Sequence, residues 1–155
     1  MIAMARLEGP LRHAVHRLKY GDRPQLTAHI VEATLLARRL APGTLVPVPL
    51  HPARRRRRGY NQAELLVREI ARRTSVPWRD ALERAGSQGP QVGRGGAARR
   101  EVMAGAFRWR VGPAPPASVV IVDDVLTTGA TLLECARAAR AAGVGRVETL
   151  AIALG

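Results

Sequence analysis

The sequence predicts an α/β fold, a mostly parallel sheet flanked by helices, in a single domain over residues 1–155. Three observations predict it. Val119, Val120, Ile121 and Val122 form a short, wholly apolar, β-branched run, as expected of a strand buried on both faces of a parallel sheet. A helical stretch over 130–142 and a second apolar strand over 147–154 follow, and strand, helix, strand in that order is a right-handed βαβ unit. The 155 residues make one ordinary domain, and no repeat or linker divides them.

The remaining elements follow in chain order. Leu11, Val15 and Leu18 recur at helical spacing over 10–20. Leu26, Ile30, Ala33, Ala37 and Leu40 share one face of a helix over 25–40, preceded by Pro24 and ended by Pro42 and Gly43. Residues 45–50 are apolar and extended, but Pro47 and Pro49 remove amide donors, so this strand ends early or bulges. His51 and Pro52 close it, and five consecutive arginines follow at 54–58. Asn61 caps a helix, with Glu64 placed to return the bond in a capping box and Leu65, Leu66 and Ile70 as its buried stripe. Residues 84–100, with five glycines, read as a long mobile loop. Residues 105–111 alternate as a strand. In the 130–142 helix Leu132, Leu133, Ala136 and Ala139 face inward, and Gly143 ends it.

Composition narrows the function classes. At 46% hydrophobic the chain can build a core, so it is not a disordered basic tail. No apolar run approaches the ~18 residues of a membrane span, and the N-terminus lacks a signal peptide's apolar stretch, so a cytoplasmic location is expected. The lone cysteine, Cys135, excludes an internal disulfide and a multi-cysteine zinc site; within a helix it reads as a small buried hydrophobe. His13 and His16 lack further ligands and read as surface residues. Trp78 and Trp109 are too few for a base-stacking platform. The net charge is +13, and 24 of the 25 basic residues are arginine, the exception being Lys19. Charge alone leaves open nucleic-acid phosphate, metabolite phosphate and simple solvation. Arginine and the 26 alanines share GC-rich codons, so many surface arginines reflect the genome as readily as chemistry.

Chemistry concentrates at residues 119–131. A buried strand ends at Asp123 and Asp124, and open α/β sheets bind ligands at the carboxyl ends of their strands. Val125 and Leu126 lead into Thr127, Thr128, Gly129, Ala130 and Thr131, which enter a helix. Unpaired amides at a helix N-terminus make an anion site, the threonines add hydroxyl donors, and Gly129 lets the backbone curl around a phosphate. Carboxylates repel phosphate and need donors: sugar hydroxyls or, through water, Mg²⁺. Phosphate beside a diol describes a ribose 5-phosphate.

Residues 119–131 are similar throughout to the phosphoribosyl-diphosphate signature of type I phosphoribosyltransferases. A further resemblance is to the ComF family, the phosphoribosyltransferase-like proteins of bacterial competence. It rests on Leu18, Lys19, Tyr20 and Gly21; on residues 46–52 followed by the arginines and by 58–65; and on Gln91, Val92, Gly93, Arg99, Gly105, Ala106 and Phe107. It covers roughly residues 10–155. Arg94 and Val102 depart from the family's leucine and asparagine, and the four-cysteine zinc module that many members carry is absent.

The resemblance implies a type I phosphoribosyltransferase-like fold that binds phosphoribosyl diphosphate with Mg²⁺. Asp123 and Asp124 would hold the ribose hydroxyls and, mainly through water and ligand, the metal. Residues 127–131 would cradle the 5-phosphate. Leu50, His51, Pro52 and Arg54 would face the diphosphate, with a non-proline cis peptide expected in the Leu50 and His51 region. Arg58, beside Gly59, would be held structurally. Gln91, Arg94, Arg99 and Arg100 would belong to a flexible loop closing over the reaction centre. Two readings stand: a phosphoribosyltransferase acting on an unidentified nucleophile, or a non-catalytic ligand sensor that binds single-stranded DNA or a competence helicase. No segment reads as a base-recognition hood, and a homodimer is left open.

Overall fold

The computed structural model describes residues 2–21, 23–35, 41–85 and 105–155. The elements are β1 (Ile2–Arg6), α1 (Gly9–Tyr20), α2 (Leu26–Leu35), β2 (Thr44–Pro47), α3 (Pro52–Arg58), α4 (Gln62–Thr74), β3 (Leu82–Arg84), β4 (Phe107–Trp109), β5 (Ser118–Leu126), α5 (Ala130–Ala141) and β6 (Arg146–Leu154). Four strands form one sheet in the order β1, β6, β5, β2, with every pairing parallel. β3 and β4 make a separate antiparallel ribbon.

The apolar run at 119–122 explains the centre of the sheet. Side chains alternate across a strand, so a strand apolar at every position must be covered twice. Val119 and Ile121 pack with Leu132, Cys135 and Ala139 of α5 and with Leu82 and Phe107 of the ribbon. Val120 and Val122 pack with Val15 and Leu18 of α1, Ile30 and Val31 of α2, and Leu66, Val67 and Ile70 of α4. Burying each such aliphatic side chain contributes about 1.5–3 kcal/mol. Among the described residues, no helix is long and apolar enough to cross a membrane.

Several expectations are corrected. β5 does not stop at the acids: β6 pairs with it as far as Leu126 and Leu154, so Asp123 and Asp124 lie within the strand. The arginine run is a helix, α3. The His51 Nδ1 accepts a hydrogen bond from the Ala53 amide at 3.2 Å, Pro52 suits the first turn, and Gly59 closes the helix at φ 82°. Arginine itself favours helix. No cis peptide occurs among the described residues; His51 meets the helix start in an ordinary extended conformation. Asn61 caps α4 through the Ala63 amide, but Glu64 pairs instead with Arg55 at 3.3 Å and Arg68 at 2.7 Å. In α5 Leu133 is exposed, because the stripe against the sheet runs through Leu132, Cys135 and Ala139. The expected 25–40 helix is present as α2, with 36–40 outside the described residues. β1 and β3 were not expected: five and three residues are too short for a clear alternation signal.

Candidate functional site

The site forms where β5 outlasts β2. β2 ends at Pro47, paired with Val122, and the Val48 amide donates a last bond to the Val122 carbonyl at 2.9 Å. Pro49 has no amide to continue the ladder. The chain turns away into α3, while β5 runs four residues further, through Asp123, Asp124, Val125 and Leu126, held by β6. The resulting cleft is lined by Leu50, Arg54, Arg58, Arg84, Lys19, Asp123, Asp124 and Thr131, among others. A second small depression adjoins it, lined by Asp123 and by the residues from Val125 to Leu132.

Strand alternation separates the two acids. Asp123 continues the Val119 and Ile121 face, toward α5 and the ribbon, and Asp124 continues the Val120 and Val122 face, toward α1. Asp123 Oδ1 accepts the Asp124 amide at 2.9 Å. Burial, then the neighbouring charge of Asp124, push the Asp123 carboxyl up to about 7; that amide bond and the Lys19 charge oppose them. Asp124 is buried at 4% exposure. Lys19 Nζ stands 3.2 Å from its Oδ2, within ion-pair distance. The geometry is not that of a hydrogen bond, and Oδ2 has no hydrogen-bond donor among the described residues.

Beyond the acids the chain forms the predicted loop. Thr127 and Thr128 are exposed, Gly129 adopts the left-handed φ of 74° that favours glycine, and α5 begins at Ala130. The Thr128 hydroxyl accepts the Ala130 amide at 3.4 Å. The first-turn amides of α5 have no carbonyl partner inside the helix, and its dipole adds partial positive charge at this end.

Of the residues expected at the diphosphate, Leu50 and Arg54 line the cleft, whereas His51 is turned to cap α3. Pro52 lines an adjoining depression with Arg55, Arg56 and Arg110. Arg58 is held by hydrogen bonding to Gln62 Oε1 and by stacking on Tyr20, 5.5 Å from the ring centroid. Gln91, Arg94, Arg99 and Arg100 lie outside the described residues. Cys135 is fully buried and its thiol is pushed up by burial, which fits a packing role.

Two charged lining residues had no role assigned from the sequence. Arg84 of β3 lies over the Phe107 ring at 4.7 Å, and its Nε donates to the Pro49 carbonyl at 3.5 Å. Burial lowers its pKa, the nearby Arg54 adding to this and the Asp123 charge opposing it. Lys19 is the other; the sequence singled it out as the chain's only lysine and as part of the Leu18–Gly21 resemblance, without a role. For Arg84 the signal was the ribbon itself, hidden by the brevity of β3.

Among the described residues there is no cluster of three or more histidine, cysteine, aspartate or glutamate side chains that could cage a metal ion. Asp124 Oδ2 already faces the Lys19 ammonium at 3.2 Å, so a hard cation at these adjacent carboxylates would draw most of its shell from water and substrate oxygens. Mg²⁺, which keeps several waters and binds substrate phosphates, would suit such a shell.

The parallel sheet, its covering helices and the strand–loop–helix at its carboxyl edge define a type I phosphoribosyltransferase-like fold. In fold the chain resembles an allosteric regulatory enzyme of purine biosynthesis, with a TM-score of 0.51 and 18% identity over 84% of this chain and 25% of that one. It thus spans a quarter of that enzyme's length. No family model matches the chain. It is 30% identical to competence protein F of Haemophilus influenzae, covering 99% of this chain and 72% of that protein. It is 31% identical to the DNA utilization protein YhgH of Escherichia coli O157:H7, covering 96% of this chain and 69% of that one. The chain belongs to the ComF family.

Proposed function

We propose that the chain binds phosphoribosyl diphosphate with Mg²⁺ and transfers the phosphoribosyl group to a nucleophile yet to be identified, in a process linked to DNA uptake or use. One observation carries the reading: the cleft brings the acidic pair, the first turn of α5 and two arginines of separate elements, Arg54 and Arg84, to the carboxyl end of one strand. The names of the relatives, competence protein F and DNA utilization protein, supply the link to DNA.

In this reading the first turn of α5 and the hydroxyls of Thr127, Thr128 and Thr131 hold the 5-phosphate. Asp123 accepts hydrogen bonds from the ribose hydroxyls and, with Asp124, holds the metal. Arg54 and Arg84 face the diphosphate and stabilise the charge that develops as it leaves C1. Arg84 is the better placed to do so, because its guanidinium is already desolvated and braced by Phe107. Bound Mg²⁺ supplies further neutralisation of the diphosphate. The acceptor attacks C1, and no covalent intermediate on the protein is needed. Cys135, the one thiol, is sealed in the core.

A second reading, a non-catalytic sensor with a DNA- or helicase-binding face, is favoured by α3, where Arg54, Arg55, Arg56 and Arg57 are exposed side by side. Incubation with phosphoribosyl diphosphate, Mg²⁺ and a panel of bases and amines, followed by ³¹P NMR, separates the two. The transferase reading expects diphosphate release that depends on one acceptor. Binding without release from any acceptor favours the sensor.

A further inference from the structure

We propose that the depression beside the cleft is a second anion site, and that the two together hold a linear oligophosphate of three or more phosphates. This goes beyond the phosphoribosyl-diphosphate reading and rests on it in one respect, that Arg54 and Arg84 face a diphosphate. The cleft itself favours anions: Lys19, Arg54, Arg58 and Arg84 line it against Asp123 and Asp124.

α3 carries that excess of positive charge outward. At about 3.6 residues per turn, Arg54 and Arg58 share one face of the helix, with Arg55 and Arg56 on the faces beside it. The first two line the cleft and the second two line the depression. Pro49, Leu50, Asn61 and Arg84 line both, so the two hollows are contiguous. The depression has a volume of about 360 Å³ against about 160 Å³ for the cleft, which leaves room for further phosphates. Its own carboxylates are already matched: Arg110 stands 3.3 Å from both Asp80 and Glu83, and Arg108 is 2.6 Å from Glu83. Arg55 is 3.3 Å from Glu64, but Arg56 has no hydrogen bond or ion pair among the described residues. A guanidinium presents its donors in a fork that matches phosphate. An acceptor has to approach C1 from the face opposite the departing diphosphate. A hollow reached past Arg84 and Leu50, on the diphosphate side, therefore suits a longer anion and not the acceptor.

The test is isothermal titration of inorganic di-, tri- and tetraphosphate without divalent cations. The two longer chains are expected to bind about tenfold more tightly than diphosphate, the effect of one further charge-assisted contact. Arg55→Ala/Arg56→Ala removes that gain and leaves diphosphate within about threefold of the wild type, as for exposed charges outside its contacts. Arg57→Ala deletes an exposed arginine of the same helix that lines neither hollow, and keeps the gain. Alanine favours helix, so the substitutions preserve α3. Adenosine 5′-triphosphate, run alongside, distinguishes the sources of such a chain: it matches triphosphate where the chain is nucleotide-borne and falls well below it where the chain is free, and the proposal stands on either. Diphosphate binding with no gain from the longer chains overturns the proposal and leaves the phosphoribosyl-diphosphate reading intact. A gain kept in the double variant, or lost equally in Arg57→Ala, reduces the effect to general charge and overturns it as well. No binding at any chain length counts against both.

Discussion

Phosphoribosyl diphosphate with Mg²⁺, at about a hundredfold excess over its Kd, raises the melting temperature of the wild-type chain by about 5–10 °C. This follows from about 2.7 kcal/mol of linkage stabilisation in a domain of this size. Asp123→Ala/Asp124→Ala abolishes the shift. The first-turn amides of α5 survive the double substitution, but they grip one phosphate only. The diol and the metal lose their partners, and each hydrogen bond to a charged group contributes about 1.5–3 kcal/mol. The loss is therefore a hundredfold or more in affinity, enough to erase a thermal shift. Differential scanning fluorimetry at fixed ligand concentration checks it; an undiminished shift in the double variant would place the ligand elsewhere.

The second large effect is on the free chain and runs through pH. The Asp123 carboxyl is pushed up to about 7 in the fold, above its ordinary value of 3.8, by desolvation and then by the neighbouring Asp124 charge. Folding therefore takes up a proton between those values. The contribution is complete below about pH 4 and is lost as pH rises through 7. The unfolding free energy of the ligand-free chain falls over that window by an amount on the order of a few kcal/mol. Asp123→Asn cannot ionise and flattens the slope, so the variant gains on the wild type as pH rises. Urea unfolding at pH 5 and pH 8 reads this directly. Parallel profiles for the two proteins would mean that Asp123 is not the group responsible. A carboxylate that destabilises the empty fold at neutral pH is the expected cost of the proposed ligand site.

How far the site was legible in the sequence depended on the range of the signals. The loop and helix of residues 127–131 carry their geometry locally: threonines, one glycine at a left-handed φ, and a helix start. The early end of β2 was legible too, because Pro47 and Pro49 lack amides, and that early end opens the cleft. The continuation of β5 through the acids was not. Nothing in Asp123 and Asp124 favours a strand, and only the ladder to β6 holds them there. With it went the separation of the acids onto opposite faces. Arg84 and Lys19 were hidden for a related reason: each reaches the cleft from a distant part of the chain, and only tertiary packing brings them to Asp123 and Asp124. The arginine run misled by its charge, which drew attention from its helix-forming backbone and from the capping role of His51.

The cleft over Asp123 and Asp124 is proposed as a phosphoribosyl-diphosphate site. Isothermal titration of phosphoribosyl diphosphate into the wild-type chain, with and without Mg²⁺, tests it most directly. The expected result is saturable binding with one site per chain, at least tenfold tighter with Mg²⁺, and competition by ribose 5-phosphate. No measurable heat at millimolar ligand with Mg²⁺ present, from a chain shown to be folded, would contradict it.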